Sequence, residues 1–168
     1  MAQRLGNNSK SDKRIWEKTE KKKVMMIPNK IIIHCSATPR EVDYSAADID
    51  KWHRQRGFSK IGYHYVIRLD GKIEKGRDEN EMGAHCLGEN LYSIGICYIG
   101  GLSEDKQTPE DTRTGAQKIA LKGLVDSLKR KYREKGIILT VHGHNEFANK
   151  ACPCFNVKKE LNSTSAQY

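Results

Sequence analysis

The chain has 168 residues, of which 37% are apolar and 30% charged, with a formal net charge of +9. That length holds one domain with room for a tail, and the apolar fraction supports one core. No run of 18 apolar residues occurs, which excludes a transmembrane helix; the basic N-terminus lacks the apolar stretch of a secretory signal. The positive balance favours anionic partners: nucleic acid, an acidic membrane surface or an anionic wall polymer. Aromatic content is low, and no RNA-stacking signature is present. The five cysteines are Cys35, Cys86, Cys97, Cys152 and Cys154. Cys97 lies in an apolar run and reads as a core residue. Cys152 and Cys154 flank Pro153 and are too close for an easy mutual disulfide. The set is expected to be reduced thiols of a cytosolic protein.

Residues 1–28 carry eight Lys or Arg against three acids and are poor in apolar residues until Val24. A mobile basic arm is expected there, with the domain occupying residues 29–168. Ile31–His34 is a short apolar run, so a strand buried on both faces is predicted. Ser45 with Asp48 opens a helix in which Ile49, Trp52 and His53 recur at helical spacing, and Gly57 stops it. Tyr63–Leu69 and Lys72–Glu74 read as a hairpin turning at Asp70-Gly71. Ser93–Ile99 is another buried strand, ended by Gly100-Gly101. Thr114 and Gln117 cap a long helix whose apolar face is Leu121, Leu124, Val125, Leu128 and Tyr132; Gly136 ends it. Ile137–Val141 reads as the last strand, and Val157–Leu161 as a closing helix. The predicted fold is α/β: one domain with a mixed central sheet flanked by helices.

Two strand ends carry metal-type ligands. His34 follows three isoleucines; His144 follows the last apolar run, and Cys152 comes eight residues later. Two imidazoles and a thiolate leave zinc one open position, the layout of a catalytic rather than a closed structural site. Spacing alone leaves His142 open as an alternative to His144, and Cys154 as an alternative to Cys152. Sites in such folds gather where strands run out into loops, so residues 110 positions apart can meet. His53 and Trp52 read as packing residues and His64 as structural.

At these residues the chain resembles the zinc-dependent N-acetylmuramoyl-L-alanine amidases of the phage lysozyme type, which share a fold with peptidoglycan recognition proteins. The matching runs are HCSAT at 34–38, WHRQRGF at 52–58, GYHYVIRLDG at 62–71, GRDENEMGAH at 76–85, NLYSIGICYIGG at 90–101 and HNEFANKACPCF at 144–155. The resemblance covers about residues 30–162. It implies one zinc ion held by His34, His144 and Cys152, with Tyr63 and Lys150 in the catalytic positions and His85 and Asn90 lining the substrate groove. Cys154 departs from the small or polar residue that many relatives carry there. The implied activity is hydrolysis of the amide between N-acetylmuramic acid and L-alanine in bacterial peptidoglycan. The implied setting is a phage or prophage endolysin. Without a secretory signal or an apolar run, the chain is expected to stay cytoplasmic until released to the wall and not to insert stably in a membrane, and a monomer is expected. Two other readings compete with it. One is a non-catalytic recognition module on the same fold. The other is a basic nucleic-acid-binding protein whose structural zinc takes Cys154 or His142 as a fourth ligand. A nucleic-acid or protein partner for the arm is left open.

Overall fold

The computed structural model describes residues 25–162. The expected arm therefore lies outside the described residues up to residue 24. Five strands form a mixed sheet: β1 (Lys30–Cys35), β3 (Tyr65–Ile67), β4 (Ile73–Lys75), β5 (Ser93–Tyr98) and β7 (Thr140–Gly143), in the order β4-β3-β5-β1-β7. All pairings are parallel except the β3–β4 hairpin. A second, two-stranded sheet pairs β2 (Thr38–Pro39) with β6 (Gly101–Leu102). Among the described residues, three α-helices flank the sheets: α1 (Ala46–Gln55), α2 (Gly115–Arg133) and α3 (Val157–Leu161).

The central position of β1 explains its composition. A parallel strand covered on both faces cannot alternate polar and apolar residues, and Ile31, Ile32 and Ile33 are all fully buried. One face of the sheet sends Ile31, Ile33, Cys35, Ile94, Ile96 and Tyr98 into a core with Leu121, Val125, Leu128 and Tyr132 of α2. On the other face Val66, Cys97 and Ile99 pack with Ile49 of α1 and with Ile61. Because side chains alternate along a strand, His34 points to the face opposite Cys35. Both long helices open as the capping residues predict: Ser45 and Asp48 form a reciprocal box on α1, and Thr114 and Gln117 do so on α2. A cap of this kind contributes about 1 kcal/mol.

Several boundaries differ from those expected, most of them by one or two residues. The last strand runs Thr140–Gly143 rather than 137–141, because the Ile137 N–H donates to Tyr132 O and the Gly136 N–H to Arg133 O, spending that backbone on the end of α2. Sheet pairing begins only at Thr140, whose N–H donates to Asn29 O. Strand β3 starts at Tyr65, so Tyr63 and His64 stand in the loop before it. Met26, inside the segment expected to be arm, is buried in the core and its N–H donates to Asn80 O at 3.1 Å.

Candidate metal centre and the groove above it

The ends of β1 and β7 lie side by side, since the two strands pair in parallel from Lys30↔Thr140 to Ile33↔Gly143. His34 is the next residue of β1, and His144 opens the 3-10 turn (His144–Glu146) that follows β7. Their Nδ1 atoms are 3.2 Å apart. Cys152 arrives from the following loop, its Sγ 3.9 Å from His34 Nδ1. The three ligand atoms all lie within 4.8 Å of one another, and among the described residues they are the group that could hold a metal ion. The backbone N–H of Cys35 donates to Cys152 Sγ at 3.2 Å, a donor suited to a sulfur that carries negative charge.

The electrostatics favour ligation. Burial, followed by the nearby imidazoles and Lys150, pushes the pKa of His34 well below its ordinary value. Burial and then Lys150 lower that of His144. Both rings are therefore neutral at neutral pH, which is the state that donates a lone pair to a metal. His34 is in turn held from behind: its Nε2 is 2.9 Å from His85 Nδ1, and burial drives the pKa of His85 down to about 3. An Nε2–H on His34 donating to His85 leaves Nδ1 of His34 as the lone pair facing His144 and Cys152. Such an outer partner fixes tautomer and ring orientation of a metal-binding histidine.

His85 fits because two glycines leave room for it. A Cβ added at Gly83 or Gly95 would stand 2.5 or 2.6 Å from His85 Cδ2. Asn90 secures the same loop, its Oδ1 accepting from the N–H groups of His85 and Cys86 at 2.8 and 2.9 Å. Local spacing does not reveal this support; the one feature of the sequence that could have is Gly95, an isolated glycine inside an apolar strand, which marks a close approach. Gly62 has the same role beside Tyr63, where an added Cβ would meet Ala84 O at 2.0 Å.

Over the cluster lies an open groove of about 650 Å³, lined by Tyr63, His85, Asn90, His144 and Lys150 together with His53, Arg56, Phe58, Leu87 and Phe147. The last five were not singled out as groove residues from sequence, since helix and loop positions carry no spacing that reveals a shared cavity. Tyr63 stacks at 5.1 Å from the His34 ring, and burial among the Cys97, Cys152 and Cys35 thiols raises its pKa well above 10, so it remains an O–H donor. His53 accepts from the Gly62 N–H at 2.8 Å and stacks on Tyr63.

The two residues weighed as alternative ligands, His142 and Cys154, are occupied elsewhere, and so is His64, which was read as structural. Both ring nitrogens of His142 are engaged, with Glu146 Oε2 and Thr140 Oγ1 at 2.8 Å each. Cys154 Sγ faces Cys35 Sγ and Gly101 O, away from the three-ligand cluster. His64 is fully buried; it accepts from the Gly95 N–H and donates to Glu81 O, a structural role. Neither candidate for a fourth, closing ligand is in the cluster.

Known proteins share this arrangement of chain. A family model described as N-acetylmuramoyl-L-alanine amidase matches residues 24–155. The endolysin of Klebsiella phage KP32 is 40% identical over 131 residues, 78% of this chain and 83% of the relative. The endolysin of Escherichia phage T7 is 40% identical over 129 residues, 77% of this chain and 82% of that one. Among solved structures, the N-acetylmuramoyl-L-alanine amidase LysC from Clostridium intestinale superposes with a TM-score of 0.66 at 32% identity, covering 82% of this chain and 87% of the other. Drosophila PGRP-LB superposes with a TM-score of 0.65 at 28% identity, over 85% of this chain and 84% of that one.

Proposed function

The chain belongs to the N-acetylmuramoyl-L-alanine amidase family, and we propose that it performs that hydrolysis with one zinc ion held by His34, His144 and Cys152. The family's reaction breaks the amide between the lactyl carbonyl of N-acetylmuramic acid and the nitrogen of L-alanine in peptidoglycan, and the chain is a cell-wall hydrolase of the endolysin type. The observation that carries the metal assignment is the convergence of two neutral imidazole nitrogens and one sulfur on a single point beneath an open groove. Two nitrogens and a sulfur suit zinc, and three protein ligands are the catalytic number.

When bound, zinc supplies an activated water near neutral pH and polarises the scissile carbonyl. The rest falls to the chain. His85 holds the His34 ring in the orientation that presents Nδ1 to the metal position. Lys150 lines the same groove as His144 and offers an ammonium to the oxyanion that forms when the carbonyl carbon becomes tetrahedral. A donor of this kind is typically worth about 10²–10³ in rate. Tyr63 is an O–H donor beside His34 and orients the water or the carbonyl oxygen. Asn90 and His85 form one wall of the groove. Among the described residues, Arg56 and Lys150 give the groove two cations and no carboxylate lines it, which suits a substrate whose peptide stem carries free carboxylates. One chain supplies every group, so a monomer suffices. The setting is a protein held in the cytoplasm and released to the wall by a separate agent.

Digestion of purified peptidoglycan by zinc-loaded and chelator-stripped protein tests this reading. New alanine amino termini that appear only with zinc, without new reducing sugars, are the expected result. Reducing ends, or equal activity after stripping, would refute the mechanism.

A further inference from the structure

We propose that Cys35 and Cys154 form a disulfide site, closed by thiol–disulfide exchange with an external disulfide, that stitches the end of β1 to the loop carrying Cys152. Bond formation itself is read as a covalent change and stands apart from the amidase assignment, whereas the oxidising setting and the zinc readout rest on that assignment.

The geometry points to this pair. The two Sγ atoms are 3.8 Å apart across 119 residues of chain. A disulfide needs about 2.05 Å, so the sulfurs must approach by roughly 1.8 Å, a movement two side-chain rotations can share. The other cysteines are placed differently. Cys97 belongs to the core on the opposite face of the sheet from Cys35. Cys152 also neighbours the Cys35 thiol, but its Sγ takes the Cys35 backbone N–H and belongs to the cluster with His34 and His144, which a bound metal would keep occupied. Cys154 stands in the left-handed region, φ 69°, with its N–H donating to Ala151 O at 2.7 Å. That conformation is uncommon for a residue other than glycine.

Access is ordered. Cys154 lines an open cavity of about 370 Å³ together with Asn145, Glu146, Ala151, Phe155 and Lys158. Cys35 lies behind it and is only 6% exposed. An incoming disulfide R–S–S–R therefore meets Cys154 first. The Cys154 sulfur, giving up its proton to solvent, bonds to one sulfur of the reagent and expels RS⁻. Cys35 then attacks Cys154 Sγ from inside, loses its proton and expels the second RS⁻. Two protein thiols are oxidised to one S–S bond, one external disulfide is reduced to two thiols, and the released protons balance the two thiolates. An enzyme that acts on the cell wall works where disulfides persist rather than where they are reduced.

The bridge would sit one residue from His34 and two from Cys152, so it ties together the segments that bear two of the three ligands. It would also close a very long loop, the case in which a cross-link constrains the unfolded chain most. Two consequences follow: a higher melting temperature, and slower loss of zinc to a chelator.

The test uses the full chain, reduced, zinc-loaded and then incubated with oxidised glutathione. We expect a mass lower by two hydrogens and one cross-linked peptide pair joining positions 35 and 154. A rise in Tm of about 5–10 °C, reversed by reductant, should accompany it, with zinc release slowed severalfold. Cys154→Ser should abolish all of these. Cys35→Ser should leave glutathione trapped on Cys154. Five thiols still open to alkylation, a bridge that includes Cys152, or a wild-type glutathione adduct that never resolves would each overturn the proposal. A bridge that forms without changing Tm or zinc release would overturn its role as a clamp.

Discussion

Among the described residues, the polar clusters around the buried Arg113 and the buried His34 are built on opposite principles. At one, the Arg113 side chain is 1% exposed, donates to both carboxylate oxygens of Asp111 and of Glu160, and lies 3.3 Å over the Phe155 ring. Each charge there meets its opposite, and the cluster is closed. At the other, around His34, three neutral imidazoles and a thiol converge, and Nδ1 of His34 faces Nδ1 of His144 and Sγ of Cys152 with no carboxylate between them. Two imidazole nitrogens and a sulfur that converge on one point, with no charged partner of their own, are a donor set able to hold a cation. Burial of polar groups thus serves stability in the first case and chemistry in the second. The difference is read from whether the donors and acceptors are balanced.

The sharpest way to break the comparison is to empty the open cluster. Cys152→Ala should abolish both zinc binding and peptidoglycan hydrolysis, measured by metal content and by release of alanine amino termini, while the melting temperature of the metal-free protein stays close to wild type. Hydrolysis that persists in Cys152→Ala and fails in Cys154→Ala would reverse the ligand choice. Lys150→Ala should retain zinc and lose about 10²–10³ in rate, and a loss of zinc as well would move Lys150 from chemistry to structure. His85→Ala, one shell out, should lower zinc affinity about 10–100-fold, read by competition with a chelator. An unchanged affinity would mean the His34–His85 contact orients nothing. Arg113→Leu addresses the closed cluster. Its carboxylate partners are partly exposed, 29% for Asp111 and 43% for Glu160. The cost is therefore put at about 1–3 kcal/mol, below that of a fully buried pair. That should appear as a fall in Tm of about 3–8 °C with zinc content unaffected.

The smallest effect concerns pH. Burial lowers the pKa values of His53 and His64, and each accepts a backbone N–H that requires the neutral ring. The unfolded chain takes up these protons near pH 6.5 while the folded chain does not. Stability is therefore complete above pH 6.5 and lost as the pH falls toward the depressed folded values, by up to about 1.4 kcal/mol per unit for each ring. Denaturant unfolding of the metal-free protein at pH 7.5 and 5.5 measures this together with the contributions of His34, His85 and His144, whose pKa values are also lowered, and His53→Gln should shallow the slope by its own share. A flat profile would show that neither imidazole is held neutral by the fold.

Much of this was legible beforehand, for identifiable reasons. The short apolar run at Ile31–Ile33, rich in β-branched residues, reads as a strand covered on both sides, and the two capping boxes mark their helices to the residue. The position of Val157–Leu161 followed from its own local pattern. Boundaries slipped where tertiary hydrogen bonds outvoted local pattern. Ile137 looks like a strand residue, yet its N–H is taken by the end of α2. Tyr63 looks like part of β3, yet it stands in the loop before that strand, where it can reach His34.

What the sequence by itself determined is what depends on near neighbours in the chain: helix starts and stops, the hairpin turn, buried strands, and the residue types able to hold a metal. What only the tertiary structure decided is what depends on separation through space. It set His144 rather than His142 beside His34, because the turn after β7 carries one ring inward while Glu146 and Thr140 hold the other away. It put His85 behind His34 in a slot left by two glycines. It turned Cys154 away from the metal position and toward Cys35. Spacing along a chain constrains which face a side chain takes. Distances between segments more than a hundred residues apart are set by strand pairing and by the volume each side chain must fill.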